Sequence, residues 1–162
     1  LGLWGSLLVV GAAAGADDVW RPLKGFTASS ATVAPPAAGS EAFLKLKSPL
    51  QLQAELDSAK AAGQWVLLDF YADWCVSCRV MEKEVFGSSE VMAALKNVRL
   101  LKLDVTADNA DSRTLLNRYK VPGPPSFLWI GPDGEERRSQ RITGQVDAEE
   151  FLKRWNQTKE SN

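Results

Sequence analysis

Two cysteines carry the most chemistry in this sequence, because Cys75 and Cys78 are the only two among its 162 residues. A lone pair separated by two residues can form one disulfide, half of a metal site or a redox pair. A closed structural zinc site needs four ligands, and this chain has two thiols and no histidine. A purely structural disulfide is the alternative, but a bridge that closes so short a loop contributes little chain entropy. The spacing therefore favours a redox-active dithiol without a bound metal.

The position of the pair indicates how the two sulfurs divide their work. Residues 65–72 form a nearly continuous apolar run that predicts a buried strand, and a helix is expected from about Cys75. The free N–H groups and partial positive charge of a helix N-terminus stabilise a thiolate at Cys75. Cys78 lies one turn later on the same helix face. We therefore expect an exposed Cys75 to attack and a more buried Cys78 to resolve the mixed disulfide.

Two carboxylic acids flank the pair in the sequence. Asp69 lies within the apolar strand, where it is either a buried acid behind the cysteines or an edge carboxylate that faces water. Glu82 falls on the helical stripe of Cys75 and Cys78, so it should point inward. The alternative for Glu82 is a solvated side chain in the charged run "MEKE".

These acids set an expectation for the thiol chemistry. Negative charge near the pair disfavours a thiolate at Cys75, and burial disfavours it further. The sequence offers no histidine and no obvious neighbouring cation, since Arg79 should point away from the stripe. We therefore expect the pKa of Cys75 to lie at or above the free value of about 8.5. An unstabilised thiolate makes the couple reducing rather than oxidising.

The predicted elements follow the order β-α-β-α-β-α-β-β-α, an α/β fold with a central mixed sheet and helices on both faces. Strands are expected at 42–47, 65–72, 97–106, 126–136 and 137–144, the last two joined as a hairpin. Helices are expected at 49–63, from about Cys75, at 108–120, and after Asp147, which forms a capping-box-like pair with Glu150.

Composition divides the chain into three parts. Residues 1–16 carry no charge and predict the end of a transmembrane helix, although a full span needs about 20 apolar residues. A clipped signal peptide is the alternative. We assign 1–26 to the helix end and a juxtamembrane segment, 27–40 to an Ala/Ser/Pro-rich linker, and 41–162 to the folded domain. The net charge of −1 gives no electrostatic footprint for nucleic acid.

Several runs of the sequence resemble known families. The runs "DFYADWCVSC" and "VPGPPSF" look like those of thioredoxins. The longer runs "LLDFYADWCVSCRVMEKEVF", "LDVTADNADSRTLLNRYKVPGPPSFLWIGPDGEE" and "RITGQVDAEEFL" resemble the C-terminal periplasmic domain of the DsbD family of thiol:disulfide interchange proteins. That resemblance covers about residues 67–152, and the opening of the chain resembles the end of the family's last transmembrane helix. It implies a thioredoxin fold.

The resemblance also implies roles for residues around the pair. Asp69 would assist proton transfer during exchange, and Glu82 would lie near the active site. Pro125 matches a cis-proline that packs against the cysteines and, with Pro124, contacts an extended substrate. Without the resemblance, a trans bond in a Pro-Pro turn is the alternative. Trp74 is expected either on the surface that contacts a partner or in the core.

The resemblance finally implies a place in an electron pathway. The domain would take electrons from the membrane domain of the same protein and pass them to its N-terminal periplasmic domain, which supplies disulfide isomerases and cytochrome c maturation. The protein would lie in the bacterial inner membrane with this domain facing the periplasm, and exchange would need no cofactor. Two alternatives are a redox-silent thioredoxin-fold binding module and a general periplasmic thiol oxidase.

Overall fold

The computed structural model describes residues 38–161. The predicted transmembrane end with its juxtamembrane segment (1–26) and most of the predicted linker (27–40) lie outside these described residues. The division of the chain into three parts therefore stays a prediction. Within residues 38–161, no helix combines the length and the apolar character needed to cross a bilayer.

The described chain alternates strands and helices much as its sequence predicts. The strands are β1 (Leu44–Leu46), β2 (Val66–Tyr71), β3 (Arg99–Asp104), β4 (Ser126–Ile130) and β5 (Ile142–Thr143). The helices are α1 (Ala38–Glu41), α2 (Pro49–Ala61), α3 (Val76–Glu84), α4 (Ser89–Ala94), α5 (Ala110–Tyr119) and α6 (Ala148–Glu160). The predicted start of α6 is confirmed, because the side chain of Asp147 accepts the N–H of Glu150 at 2.8 Å.

The strands form one mixed sheet in the order β1-β3-β2-β4-β5. Strand β3 pairs in parallel with β1 and β2, whereas β4 pairs antiparallel with β2 and β5. Strand β2 is central, and every one of its residues is buried, as its apolar sequence predicts. Because β2 and β3 run in parallel, the loops that follow them leave the sheet at the same edge.

Helices cover both faces of the sheet, which confirms the predicted α/β architecture. One apolar cluster packs α2 and α5 against strand residues such as Leu68 and Leu101. The other packs α3, α4 and α6 against residues such as Leu67 and Leu100. Since successive side chains of a strand point to opposite faces, Asp69 faces the second cluster, beneath α3.

The helix predicted from about Cys75 is followed by a second, unpredicted helix, α4. A turn at Gly87 separates the two, and a Cβ at that position would lie 2.1 Å from the backbone oxygen of Lys83. The turn therefore needs a residue without a side chain. Ser88 then caps α4 by accepting the N–H of Val91.

The return strand of the hairpin is shorter than the predicted 137–144. Phe127 of β4 pairs with Ile142, whereas Ile130 bridges to Glu136. Three steps along β4 thus correspond to six steps along the returning chain. The surplus residues form a 3-10 turn at Arg138–Gln140, which interrupts the ladder.

Candidate active site

The two cysteines form a disulfide at the start of α3, with their Cα atoms 5.3 Å apart. Strand β2 ends at Tyr71, and Cys75 then takes the extended backbone conformation of an N-cap residue. Its sulfur accepts the N–H of Cys78 at 3.1 Å, which uses one of the free N–H groups at the helix end. The geometry can therefore support a thiolate at Cys75 once the disulfide is opened.

The expectation that Cys75 is exposed is wrong for this oxidised form. The exposed fraction is 6% for Cys75 and 2% for Cys78, so the predicted order of burial holds while both residues are buried. The reason is that the sulfur of Cys75 turns back over the helix end to bond Cys78. Solvent reaches the neighbouring residues instead, since Trp74 is 65% and Val76 is 76% exposed. The alternative that Trp74 packs in the core is therefore wrong.

Thr106, in the loop after β3, holds the loop that leads to Cys75. Its hydroxyl oxygen accepts the N–H of Asp73 at 2.9 Å, and its backbone carbonyl accepts the indole N–H of Trp74 at 3.3 Å. The Thr106 hydroxyl and N–H both donate to the carboxylate of Asp104. Thr106 was not predicted as a site residue. The signal available was that two parallel strands, β2 and β3, end at the same edge of the sheet.

Replacing Thr106 with valine is expected to loosen this loop. The substitution keeps the carbonyl that binds Trp74 but removes the hydroxyl contacts to Asp73 and Asp104, at a cost of about 1 kcal/mol in the free energy of unfolding. We also expect slower exchange with a protein disulfide. The matched control is Thr158→Val, which removes a buried hydroxyl bond to the carbonyl of Arg154. Stopped-flow exchange rates should fall for the first variant alone; equal rates would contradict this role of Thr106.

The Pro124–Pro125 bond is cis, which confirms that expectation and makes the trans alternative wrong. The carbonyl of Pro125 accepts the N–H of Gly144, so β5 holds this loop in place. A cleft of about 220 Å³ beside the loop is lined by Trp74, Pro124 and nine other residues. Trp74, which directly precedes Cys75, and Pro124 therefore border one recess.

Asp69 is buried in the middle of β2, with 2% of its surface exposed, so the water-facing alternative is wrong. Its register neighbours are Lys102 on β3 and Phe127 on β4. Burial raises the pKa of Asp69 to about 7, while the charge of Lys102 opposes this rise and that of Glu82 adds to it. An acid with that pKa can gain and lose a proton at neutral pH.

Glu82 points inward, as predicted, and its carboxylate accepts a hydrogen bond from the ammonium group of Lys102. Its side chain is 19% exposed, which makes the fully solvated alternative wrong. The cation that pairs with Glu82 was not predicted: Lys102 is only 3% exposed and lies beneath α3. The available signal was a lysine inside the apolar run of β3, because a charged residue in a buried strand needs a partner, as Asp69 does in β2.

Arg79 contacts the loop before the cysteines. The guanidinium group of Arg79 donates to the carbonyl of Asp73, at 3.3 and 3.0 Å, and so holds the loop before the cysteines. Within residues 38–161, no group of three or more His, Cys, Asp or Glu side chains is placed to hold a metal ion. The catalytic and substrate-binding roles given to the site residues stay predictions.

Comparison with known proteins places this geometry in a family. A family model described as thioredoxin-like matches residues 47–132. The thiol:disulfide interchange protein DsbD of Pseudomonas fluorescens is 66% identical over 158 residues, which cover 98% of this chain and 27% of that relative. DsbD of Ralstonia nicotianae is 43% identical over 152 residues, which cover 94% of this chain and 25% of that relative. The oxidised C-terminal domain of Neisseria meningitidis DsbD matches in structure with a TM-score of 0.63 and 31% identity, over 71% of this chain and 99% of that one.

The fold and the Cys-x-x-Cys disulfide at a helix N-terminus define a thioredoxin-like disulfide oxidoreductase. Such a disulfide accepts two electrons by exchange with a dithiol. The chain belongs to the family of DsbD C-terminal domains. It spans only 27% and 25% of the two curated relatives described above, so it corresponds to one region of those longer proteins.

Proposed function

We propose that this chain carries electrons from a membrane-embedded domain to a partner periplasmic domain of the same protein. The observation that carries this proposal is the Cys75–Cys78 disulfide at the N-terminus of α3. Asp69, buried in the neighbouring strand β2, adds an acid with a pKa raised to about 7. The redox-active pair is the only part of the site that has to change its covalent bonds. The buried acid gives the protons of the reaction a place to go.

Loading begins when a thiolate of the membrane domain attacks the sulfur of Cys75. The Cys75–Cys78 bond breaks, and Cys78 leaves as a thiolate that takes a proton from Asp69. The second thiol of the donor then loses its proton to water and attacks the donor sulfur bound to Cys75, which releases Cys75 as a thiolate. Water returns one proton to this thiolate and one to Asp69, so the chain gains two electrons and two protons while the donor becomes a disulfide. Delivery to the partner domain runs the same steps in reverse, with Asp69 accepting the proton of Cys78.

The exposed residues beside the disulfide are the proposed contact surface. Trp74 and Val76 present apolar side chains to solvent, and Pro124 and Pro125 lie in the loop that borders the same recess. Since the sulfur of Cys75 is buried, a partner has to approach over these residues. An apolar surface of this kind suits several partners in turn because its contacts are not directional.

The rest of the proposal concerns the whole protein. Residues 1–26 would tether the domain to the bacterial inner membrane, 27–40 would act as the linker, and 41–162 would face the periplasm. Disulfide isomerases and cytochrome c maturation proteins would receive the electrons downstream. Nucleic acid has no part in this function, in keeping with the net charge of −1.

A chimera tests the electron path. The matching region of Pseudomonas fluorescens DsbD is replaced by this chain, and the chimera is expressed with and without the membrane-embedded region. The redox state of Cys75 and Cys78 is read by thiol alkylation after acid quenching. We expect the pair to be largely reduced in the complete chimera and oxidised when the membrane-embedded region is missing.

Either rival gives the same redox state of the pair in both chimeras. A general oxidase would hold the pair oxidised, and a redox-silent module would leave its disulfide unchanged. The control is the chimera with Cys75→Ser and Cys78→Ser, which should leave the N-terminal domain oxidised. A reduced N-terminal domain in that control would contradict transfer through this pair.

A further inference from the structure

The loop between α5 and β4, residues 120–125, has few hydrogen-bond donors of its own, and we call it the proline loop. Its members without a backbone N–H are Pro122, Pro124 and Pro125. The N–H groups of Lys120 and Val121 donate back to carbonyls of α5. Gly123 has the one remaining N–H of the loop, and its carbonyl accepts the hydroxyl of Ser126 at 2.7 Å. The proline loop therefore depends on outside donors for its attachment to the fold.

Donors at the two ends of β5 hold the two ends of the proline loop. Arg141 lies directly before β5, and its guanidinium group donates to the carbonyl of Tyr119, the residue before the loop, at 2.7 Å. Gly144 lies directly after β5, and its N–H donates to the carbonyl of Pro125 at 2.9 Å. Because a backbone N–H is present at most positions, Arg141 is the side chain on which this attachment depends.

Glu136 directs the guanidinium group of Arg141 toward the loop. Its carboxylate accepts hydrogen bonds from Nε and Nη2 of Arg141, and the same Nη2 donates to the carbonyl of Tyr119. The two side chains are 21% and 10% exposed, so most solvent is kept from the pair. A two-pronged contact between arginine and a carboxylate fixes orientation as well as charge. Arg138 also lies beside Glu136, but its side chain is 67% exposed.

We propose that Arg141 is a positioning residue for partner docking, because its bond to the carbonyl of Tyr119 sets where the proline loop begins. Trp74 and the proline loop line one recess, which belongs to the proposed contact surface. This inference rests on the proposed function, since it concerns how a partner domain finds that surface. Arg141 acts through the proline loop rather than on the sulfur atoms.

Loss of the guanidinium group would leave the start of the proline loop free to take other positions. A partner docks only on molecules whose loop already fits it, so the apparent affinity falls by the fraction of such molecules. The loss of one hydrogen bond from a charged group corresponds to a factor of about ten in that fraction. The chemistry of Cys75 and Cys78 is unchanged, so a small disulfide should react as before.

The test compares a protein disulfide with a small one. The reduced, full-length chain is mixed by stopped flow with increasing concentrations of the oxidised N-terminal domain of Pseudomonas fluorescens DsbD. For Arg141→Met we expect the domain concentration at half the maximal rate to rise about tenfold, while the maximal rate stays within about twofold of wild type. The rate with 5,5′-dithiobis(2-nitrobenzoic acid) should also stay within about twofold of wild type.

Two further variants separate docking from stability. Arg141→Met leaves the carboxylate of Glu136 without its main partner, so urea unfolding should show a lower midpoint. Arg141→Met/Glu136→Gln removes that charge and should recover part of the midpoint, while the half-saturating concentration stays raised. The matched control is Arg138→Met, which removes the other arginine at Glu136, keeps the bond from Arg141 to Tyr119, and should dock like wild type.

The outcomes separate this inference from the function on which it rests. If Arg141→Met keeps the wild-type half-saturating concentration, or slows the small disulfide by the same factor, Arg141 has no part in docking. An equal effect of Arg138→Met, or full recovery in the double variant, would assign the effect to the charge of Glu136 and contradict the role of Arg141. If the wild type itself passes no electrons to the N-terminal domain, the proposed function fails and this inference fails with it.

Discussion

The Cys78→Ser chain is expected to stop halfway through exchange, as a mixed disulfide on Cys75. Cys75 lies at the helix N-terminus beside the exposed Trp74 and Val76, so it is the sulfur that a partner reaches. Without Cys78 nothing displaces that partner. We expect turnover to be lost completely and a covalent complex with the partner domain to accumulate, visible on a non-reducing gel and by mass spectrometry.

The matched variant is Cys75→Ser, which leaves the more buried Cys78 as the only thiol. It should trap no partner, although it lacks the same number of sulfurs. Equal trapping by the two variants would mean that attack and resolution are wrongly assigned. Trapping by Cys75→Ser alone would reverse the assignment.

Asp69→Asn is expected to stabilise the fold at neutral and alkaline pH. The pKa of Asp69 is about 7 in the folded protein against 3.8 for the free group, and burial is the main cause. Between pH 3.8 and about 7 the folded chain keeps a proton that the unfolded chain has lost, so the free energy of unfolding falls as pH rises. The cost levels off above pH 7 at about 4 kcal/mol, since each unit of pKa shift corresponds to about 1.36 kcal/mol.

Urea unfolding from pH 4 to pH 8.5 measures this effect. The wild type should lose stability across the interval, and the difference between Asp69→Asn and wild type should grow with pH and then remain constant above pH 7. Asp57→Asn is the control, because Asp57 is an exposed acid of α2. A constant difference between Asp69→Asn and wild type at every pH would contradict the raised pKa. The same variant should slow the exchange reaction, because the proton carrier is gone.

The parts of the fold that depend on local pattern were predictable. The apolar run of β2 and the capping pair at Asp147 each predict their structure from a few neighbouring residues. The inward orientation of Glu82 also followed from helical periodicity, since it shares a stripe with both cysteines. The apolar surroundings of Asp69 left two options, a buried acid or a carboxylate that faces water, and the structure shows the buried acid.

The parts that depend on distant contacts were not predictable. The end of α3 was hidden because Val85 and Phe86 continue the apolar stripe, and the turn depends on how closely Gly87 approaches the backbone of Lys83. The pairing of Lys102 with Glu82 requires the register of β2 against β3 and the placement of α3 above them. Neither the register nor the placement of α3 can be predicted from local spacing. A lysine between leucines did indicate that the lysine would have a charged partner.

Lys102 also changes the electrostatic reasoning about the thiols. With Glu82 paired to Lys102, we expect Asp69 to be the main acid that opposes a thiolate at Cys75. Burial of both cysteines acts in the same direction. The lysine is bonded to Glu82, so its charge is largely neutralised there and gives the thiolate little support. We therefore expect a reduced form without special stabilisation, in keeping with the proposed role of the domain as a donor of electrons.

The reduction potential of the Cys75–Cys78 couple tests this donor role most directly. The full-length chain is equilibrated with thioredoxin of known potential, quenched with acid, and the fraction of each redox form is measured after alkylation. We expect a potential near that of thioredoxin, about −270 mV, with both proteins partly reduced at equilibrium. A potential close to the about −120 mV of the strong oxidant DsbA would contradict the assignment of this domain as a reductant.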